Sequence, residues 1–418
     1  MFLLLGADYY GTLAAVRCLG RQKVPVFVAD DNKKARALYS RYATEKHVHP
    51  PLSSPDELVR WLVAFGERHP GTVLYPTNDH LAWLFSARRA ELSRVFYMYN
   101  PEEETILSLL DKKRLSAACA KVGIDTPDTR FAKTKEEIEE LKKTARFPLL
   151  IKPRTQIYLE SGIKGSLVAR PEDLDAELER YTSLVKFNDA LTSRHPDIPD
   201  PQFQEYLTAA ETSIYSVSGF VTKAGTLVAR ASMKVLQRPR KVGIGLCFET
   251  RPLEPEVLSK LGALCKEIGY FGAFEVEYIA DGDRRLLIDF NPRFFSQMAF
   301  DIARGVPIPT FAWLGARSQD EELELRVKAA RDFVPKDERV YVHRTMLDLV
   351  LFLQRMSGQM SKGDLAHWRG WLEEHRGLVT DAVRQSGDPM PAVVDTAQWV
   401  KHFARHPRSF VRSFVLNK

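Results

Sequence analysis

The residues with most chemical potential fall in one short stretch. It reads Gly272-Ala273-Phe274-Glu275-Val276-Glu277-Tyr278-Ile279, an Asp281-Gly282-Asp283 turn, then Leu286-Leu287-Ile288-Asp289-Phe290-Asn291-Pro292-Arg293. Asp-Gly between two such runs is a strong hairpin signal. Strand residues two apart share a face. Glu275 and Glu277 therefore point together, as do Asp289 and Asn291, and pairing across the hairpin sets one Glu beside Asp289. Two carboxylates and an amide oxygen form a hard-oxygen site suited to Mg²⁺. Arg293 extends that face with a fixed cation. The alternative is a solvated acidic face. The flanking Leu, Ile and Phe argue instead for a sheet packed on a core, with its polar side looking into a site.

Two lysines suit the same site. Lys152 ends the apolar run Phe147–Lys152, and a Lys at the end of a buried strand is costly without an anionic partner such as phosphate. Lys112 follows Asp111 at a helix start, where the helix dipole disfavours a cation. Reaching out to phosphate oxygens would explain it; an ordinary surface Lys is the alternative. The stretch Lys234–Arg251 carries Lys234, Arg238, Arg240 and Lys241 with Gly243 and Gly245. It reads as a flexible basic loop over a substrate carboxylate or the phosphates, or else as a solvated strand connection.

The elements that must position these groups are legible as patterns. Met1–Asp30 reads strand, loop, helix, strand, which implies a parallel sheet with right-handed crossovers. The loop Gly6–Gly11 could present amides to an anion but is not G-x-G-x-x-G, which argues against a dinucleotide site. After the strand Val73–Tyr75, the loop Pro76-Thr77-Asn78-Asp79 sits where polar residues at the carboxyl end of a parallel strand line a ligand cleft, and Asn78 or Asp79 is also placed to cap the next helix. A helix starts at Asp111, a charged helical stretch covers Glu172–Lys186, and Asn188–Pro201 reads as an exposed loop. Phe203–Leu207, Ser213–Phe220 and Thr226–Met233 read as strands. Beyond Arg317 the chain reads as charged helices with Trp368, Trp371 and Trp399 as core anchors.

Composition narrows the class. The chain has 418 residues, enough for two or three domains, with the hydrophobic and charged fractions of a soluble protein. No run approaches the about 20 apolar residues of a spanning helix, and Met1–Leu5 reads as a buried strand rather than a signal peptide. Cys18, Cys119, Cys247 and Cys265 form no C-x-x-C pair, which points to buried thiols and a cytoplasmic location. A net charge of +6 is a mild bias, and no nucleic-acid motif accompanies it. The tail Lys401–Lys418 carries five basic residues and no acid, interleaved with Phe403, Phe410, Val411, Phe414 and Val415. It suits a peripheral membrane or polyanion contact, or a terminal helix docked on the body.

The motif order resembles the ATP-grasp superfamily, and most closely its carboxylate–amine ligases, the D-aspartate ligase-like group. The matching motifs are Asp111-Lys112, Ile151-Lys152-Pro153, Gln204-Glu205-Tyr206-Leu207, Glu277 twelve residues before Asp289, and Asp289-Phe290-Asn291-Pro292-Arg293. Gly6–Gly11, Ser40-Arg41-Tyr42 and Tyr75-Pro76-Thr77-Asn78-Asp79 also look familiar for that group. The resemblance covers about residues 1–315 and implies a mixed α/β and α+β fold. A Rossmann-like pre-ATP-grasp domain would span 1–100. A two-lobed ATP-grasp core would span 101–315, with a lid lobe at about 153–207, followed by a helical extension over 316–418.

The resemblance also implies roles. Lys112 and Lys152 would hold ATP phosphates. Gln204, Glu205, Tyr206 and Leu207 would read the adenine edge, and Glu211 the ribose. Glu277, Asp289 and Asn291 would ligate Mg²⁺ or Mn²⁺. Arg293 would stabilise an acyl phosphate, with Lys234 assisting. Two positions depart from the pattern: Asp289 stands where Glu is usual, and the loop Arg154–Gly165 offers only Gly162 and Gly165, with Lys164 between. The expected activity joins a small carboxylate to an amine, with an amino acid or short peptide as substrate and a homodimer as a candidate assembly. The alternatives are a non-catalytic ATP-binding regulator, a carboxylase or a phosphotransferase.

Overall fold

A computed structural model describes residues 1–160, 165–238 and 244–410. The N-terminal segment forms a five-stranded parallel sheet from β1 (Phe2–Leu5), β2 (Val26–Asp30), β3 (Glu45–Val48), β4 (Val73–Leu74) and β5 (Tyr97–Met98), in the order β3-β2-β1-β4-β5. Every residue of β1 and β2 is buried, as expected of central parallel strands with helices on both faces. Asn78 caps the helix Asp79–Ala87, its Oδ1 accepting from the Leu81 amide at 2.9 Å.

A smaller antiparallel sheet follows: β6 (Thr129–Arg130), β7 (Leu149–Lys152), β8 (Ser166–Val168) and β9 (Gln202–Glu205), in the order β6-β9-β7-β8. A short helix, Asp189–Thr192, lies within the stretch expected to be loop. Asn188 caps it, which the prolines around it obscured in the sequence.

The largest sheet has seven strands: β10 (Ile214–Val221), β11 (Leu227–Arg238), β12 (Ile244–Arg251), β13 (Gly272–Asp281), β14 (Arg284–Asn291), β15 (Val340–Val342) and β16 (Val379–Asp381). Their order is β14-β13-β10-β11-β12-β15-β16. The C-terminal extension is mainly helical, and it also lends this sheet its last two strands. Trp371 is buried in the cluster beneath them, with Trp368 and Trp399 packed at its margin.

One expectation fails here. The basic stretch from Lys234 is not a loop at its start: β11 runs to Arg238 and β12 resumes at Ile244. Alternating burial and ladder bonds continue through Lys234, which pairs with Ile214 on one side and Phe248 on the other. Arg240, Lys241, Gly243 and Gly162-Ile163-Lys164 lie outside the described residues, as does the tail 411–418. All four cysteines are free and buried. Among the described residues no helix is long and apolar enough to cross a membrane.

The extension is fastened to the N-terminal domain by a buried ion pair. Arg17 donates from Nε to Asp388 Oδ2 at 2.8 Å, and both side chains are nearly inaccessible. Ser40 Oγ and the Arg41 amide also donate to the Asp388 carboxylate, at 2.7 and 2.9 Å. Removing one partner strands the other charge away from water. Asp388→Ala is expected to lose about 3–5 kcal/mol of unfolding free energy, read as a lower urea midpoint. An unchanged midpoint would show that the extension docks without this contact.

Candidate active site

The hairpin β13–β14 sets the geometry. Glu275 pairs with Asn291 and Glu277 with Asp289. Next to the second pair the register shifts, so that Tyr278 faces Leu287 and Ile288 is left over as a bulge. The bulge matters because strand faces alternate. Without it, Glu277 would oppose Ile288, and Asp289 and Asn291 would turn to the other side of the sheet. With it, all four polar groups share one face. Ser216 on β10 and Lys234 on β11 stand on that face too. The opposite face carries Val217, Phe274, Val276, Tyr278, Leu287 and Phe290, all buried in the core.

Cations meet these acids pairwise. Lys112 Nζ donates to Asp289 Oδ1 at 2.7 Å and to the Ile288 carbonyl at 3.2 Å. Lys234, only 5% exposed, donates to Glu277 Oε1 at 2.6 Å. Arg293 donates from Nε to Asp79 Oδ1 at 2.7 Å and from Nη2 to Asn291 Oδ1 at 2.6 Å. Burial alone would raise the Asp289 carboxyl. Lys112, backed by Arg293 and Lys152, outweighs it and holds the group below the usual carboxylate range.

Two charged groups of the site have no counter-ion in direct contact among the described residues, and both are driven toward neutrality. Lys152 Nζ donates to the Gln204 Oε1, at 2.9 Å. Burial, reinforced by the Lys112 charge, lowers it to about 8. Glu275 receives neutral donors only: Ser216 Oγ at 2.6 Å, Asn291 Nδ2 at 2.7 Å and Gln297 Nε2 at 3.0 Å. Burial and the nearby Glu277 raise it to about 7.

A buried clamp orients the lysines. Asp111 caps the helix Lys112–Lys121 by accepting from the Lys113 amide at 3.0 Å. The same carboxylate takes the Arg154 Nε at 3.0 Å and its Nη2. Arg154 also donates to Asp197 Oδ2 at 2.9 Å, and its carbonyl accepts from the Lys112 amide at 2.9 Å. The segment after β9 is arranged differently. The Glu205 amide is bonded to the Asp128 carbonyl and the Tyr206 amide to the Pro148 carbonyl. The Leu207 amide has no partner among the described residues. Tyr206 OH donates to Glu211 Oε1 at 2.8 Å.

The sequence-derived residues thus divide. Lys112, Asp289, Glu277, Lys234, Asn291 and Arg293 are joined by direct contacts or by register, and Lys152 feels the charges of Lys112 and Asp289. Glu205, Tyr206, Leu207 and Glu211 form a separate strip, connected to Lys152 through Gln204. The sequence reading missed Glu275 as the hub of a buried network, and with it Gln297 and Ser216. Gln297 lies six residues past Asn291, beyond any strand periodicity. Asp79, expected to cap a helix or line a ligand cleft, leaves the cap to Asn78 and borders the cleft beside Arg293. In the Gly6–Gly11 loop two amides are already used, that of Asp8 on Asp30 Oδ2 and that of Tyr9 on the Gly6 carbonyl. Gly6 is there for its left-handed φ of 68°. Gly11 is there because a Cβ would come within 2.4 Å of the Phe295 carbonyl.

Beside Arg293 a cleft of about 150 Å³ opens, lined by Tyr9, Thr77, Asp79, His80, Gln156 and Ser296 among others. Among the described residues no three His, Cys, Asp or Glu side chains form a ready metal cage. Glu277, Asp289 and the Asn291 amide put hard oxygens on one face, the donor type that a divalent ion takes, and in this structure those oxygens are held by Lys234, Lys112 and Arg293.

No protein-family model matches the sequence. Carbamoyl phosphate synthase large chains of Thermus thermophilus and Rubrobacter xylanophilus are 27% and 23% identical over 214 and 211 residues. Those stretches are 49% and 48% of this chain, but less than a fifth of the relatives, at 19% and 18%. The biotin carboxylase domain of Hydrogenobacter thermophilus 2-oxoglutarate carboxylase superimposes with a TM-score of 0.59 at 18% identity, over 76% of this chain and 69% of that one. An L-amino acid ligase from Bacillus licheniformis gives 0.56 at 10% identity, over 77% and 76%. N5-carboxyaminoimidazole synthetase from Staphylococcus aureus gives 0.56 at 12%, over 75% and 76%.

This chain has the ATP-grasp fold. Within that fold the seven-stranded sheet carries the acidic hairpin, and the four-stranded sheet carries Lys152 and Gln204.

Glu275 gives a test of the site's electrostatics. Folding raises its pKa, so the unfolded chain releases this proton first as pH climbs, and stability falls over that window. Glu275→Gln removes the slope. The difference in unfolding free energy between variant and wild type should shift in the variant's favour from about pH 4.5 to 7 and stay flat above. Curves that remain parallel throughout would show Glu275 ionised in the folded protein.

Proposed function

We propose that this chain is an ATP-dependent ligase that activates a carboxylate as an acyl phosphate and joins it to an amine. One observation carries the reading: Lys112, Lys234 and Arg293 bond to Asp289, Glu277 and Asn291 on one polar sheet face, while Lys152 stands nearby without a counter-ion among the described residues. A cation short of a partner beside paired acids suits a ligand that brings both phosphates and a divalent metal.

Lys112 and Lys152 would hold the phosphates of ATP, with Lys112 exchanging Asp289 for a phosphate oxygen. The open Leu207 amide would donate to the adenine edge, between Gln204 and Glu211. Glu277, Asp289 and Asn291 would hold Mg²⁺ or Mn²⁺, which when bound offsets negative charge on the phosphates. A substrate carboxylate oxygen attacks the γ-phosphorus and ADP leaves. The amine then attacks the acyl carbon and phosphate leaves. Catalysis is positioning plus charge neutralisation. Arg293 is aimed by Asn291 and Asp79 at the mouth of the cleft, where the acyl phosphate would form. The cleft's volume suits an amino acid, and Asp79 can receive an ammonium group there.

The solved neighbours include carboxylases, one of them described with MgADP and bicarbonate. Bicarbonate is therefore the control substrate. ADP release from mixtures of amino acids should require both a carboxylate and an amine. Release with bicarbonate alone would favour a carboxylase, and nucleotide binding without turnover a regulator. Asp289→Asn and Glu277→Gln are expected to lower turnover at least about a hundredfold, Asp289→Asn with little change in melting temperature and Glu277→Gln with a lower one, because it leaves the buried Lys234 without its carboxylate. Retained activity in both would remove the metal assignment.

The low Lys152 pKa adds a pH signature. The free protein loses this proton near pH 8, so nucleotide affinity should weaken as pH rises from 7 to 9. Lys152→Met should bind more weakly at pH 7 and lose that dependence. An identical pH profile in the two proteins would take Lys152 out of the phosphate site.

A further inference from the structure

A second polar cleft, of about 460 Å³, lies away from this site, where the N-terminal domain meets the C-terminal extension. Four arginines from three separate segments line it. Arg17 and Arg21 come from the helix Tyr10–Arg21, Arg339 precedes β15, and Arg384 follows β16. Asp381 is the one acid in the lining, and its Oδ1 already accepts the Val383 and Arg384 amides at 2.8 and 2.6 Å.

Two of the guanidinium groups, those of Arg21 and Arg339, have no acidic partner among the described residues. Arg17 uses Nε and Nη2 on Asp388 and the Val383 carbonyl, and its Nη1 has no partner among the described residues. Arg21 lies 5.8 Å from the Tyr42 ring. Arg384 stands 3.6 Å from Asp348, and the Arg339 side chain has no partner among the described residues. Two lining residues add polar atoms that are shielded from solvent without any hydrogen bond, Thr380 Oγ1 and Gln385 Oε1. Arginines brought together from distant segments repel one another, and unsatisfied buried polar atoms cost stability. An anionic ligand would relieve the repulsion and accept from the Thr380 hydroxyl; it offers nothing to Gln385 Oε1, which is itself an acceptor. Guanidinium forks match phosphate and carboxylate oxygens in pairs, and several forks in one cleft require more than one such group.

We propose that this cleft binds a small polyanion with at least two phosphate or carboxylate groups. Such a ligand bridges Arg21 of the N-terminal domain to Arg339 and Arg384 of the extension, and it tightens the docking that Arg17 and Asp388 begin. Nothing in the proposal depends on the ligase reading, because the cleft shares no residue with the nucleotide site.

Isothermal titration of the full chain at low salt with pyrophosphate, and separately with citrate, tests the site. Binding of either probe is expected in the wild type and in Lys112→Met/Lys152→Met. Arg21→Gln/Arg339→Gln should weaken it about tenfold or more. Arg384→Gln is the second variant, should the double one fold poorly. A response to pyrophosphate alone identifies a phosphate ligand, and to citrate alone a carboxylate. The proposal is overturned if neither probe binds, or if binding disappears with the two lysines and survives loss of the arginines.

Discussion

The arrangement depends on one constraint: charges of both signs are crowded at one end of a sheet face and neutralise one another in pairs. Asp289 takes Lys112, Glu277 takes Lys234 and Asp79 takes Arg293. That matching leaves one acid and one base over, Glu275 and Lys152. They are not adjacent partners, so each shifts its own proton affinity instead. A self-neutralised site can remain folded while empty. It can also exchange partners at modest cost, because each ion pair given up is replaced by a new one with the incoming ligand.

The protein reaches this balance by backbone means. The bulge at Ile288 puts four polar side chains on a common face and leaves the aromatic and aliphatic residues on the other. The Glu275 network then fixes the Asn291 rotamer, and Asn291 in turn steers Arg293. The N-terminal domain contributes by approach. Gly11 lets its first helix sit against Phe295, so Tyr9 and Asp79 border the same cleft as Arg293.

Much of this was legible in the sequence. Asp-Gly announced the hairpin, alternation announced the shared faces, and a lysine ending an apolar strand announced a buried cation at a cost. Three features were not. The bulge is a one-residue slip with no Gly or Pro to mark it. The continuation of β11 through Lys234 was hidden because a buried lysine looks like a break in a strand until its carboxylate is known. The pairing of Arg17 with Asp388 joins residues 371 positions apart, and no local pattern carries that information. Sequence reasoning sees what repeats at a short period; it does not see which distant charge a buried group has been given.

The Asp111 carboxylate holds one end of a helix and one arginine at the exit of a strand. The helix start that carries Lys112 and the strand end that leads from Lys152 to Arg154 are therefore tied to one carboxylate, so a change in the Asp111–Arg154 clamp would displace both lysines together. Ser166, paired with Ile151 across the β7–β8 ladder, belongs to the same fixed neighbourhood.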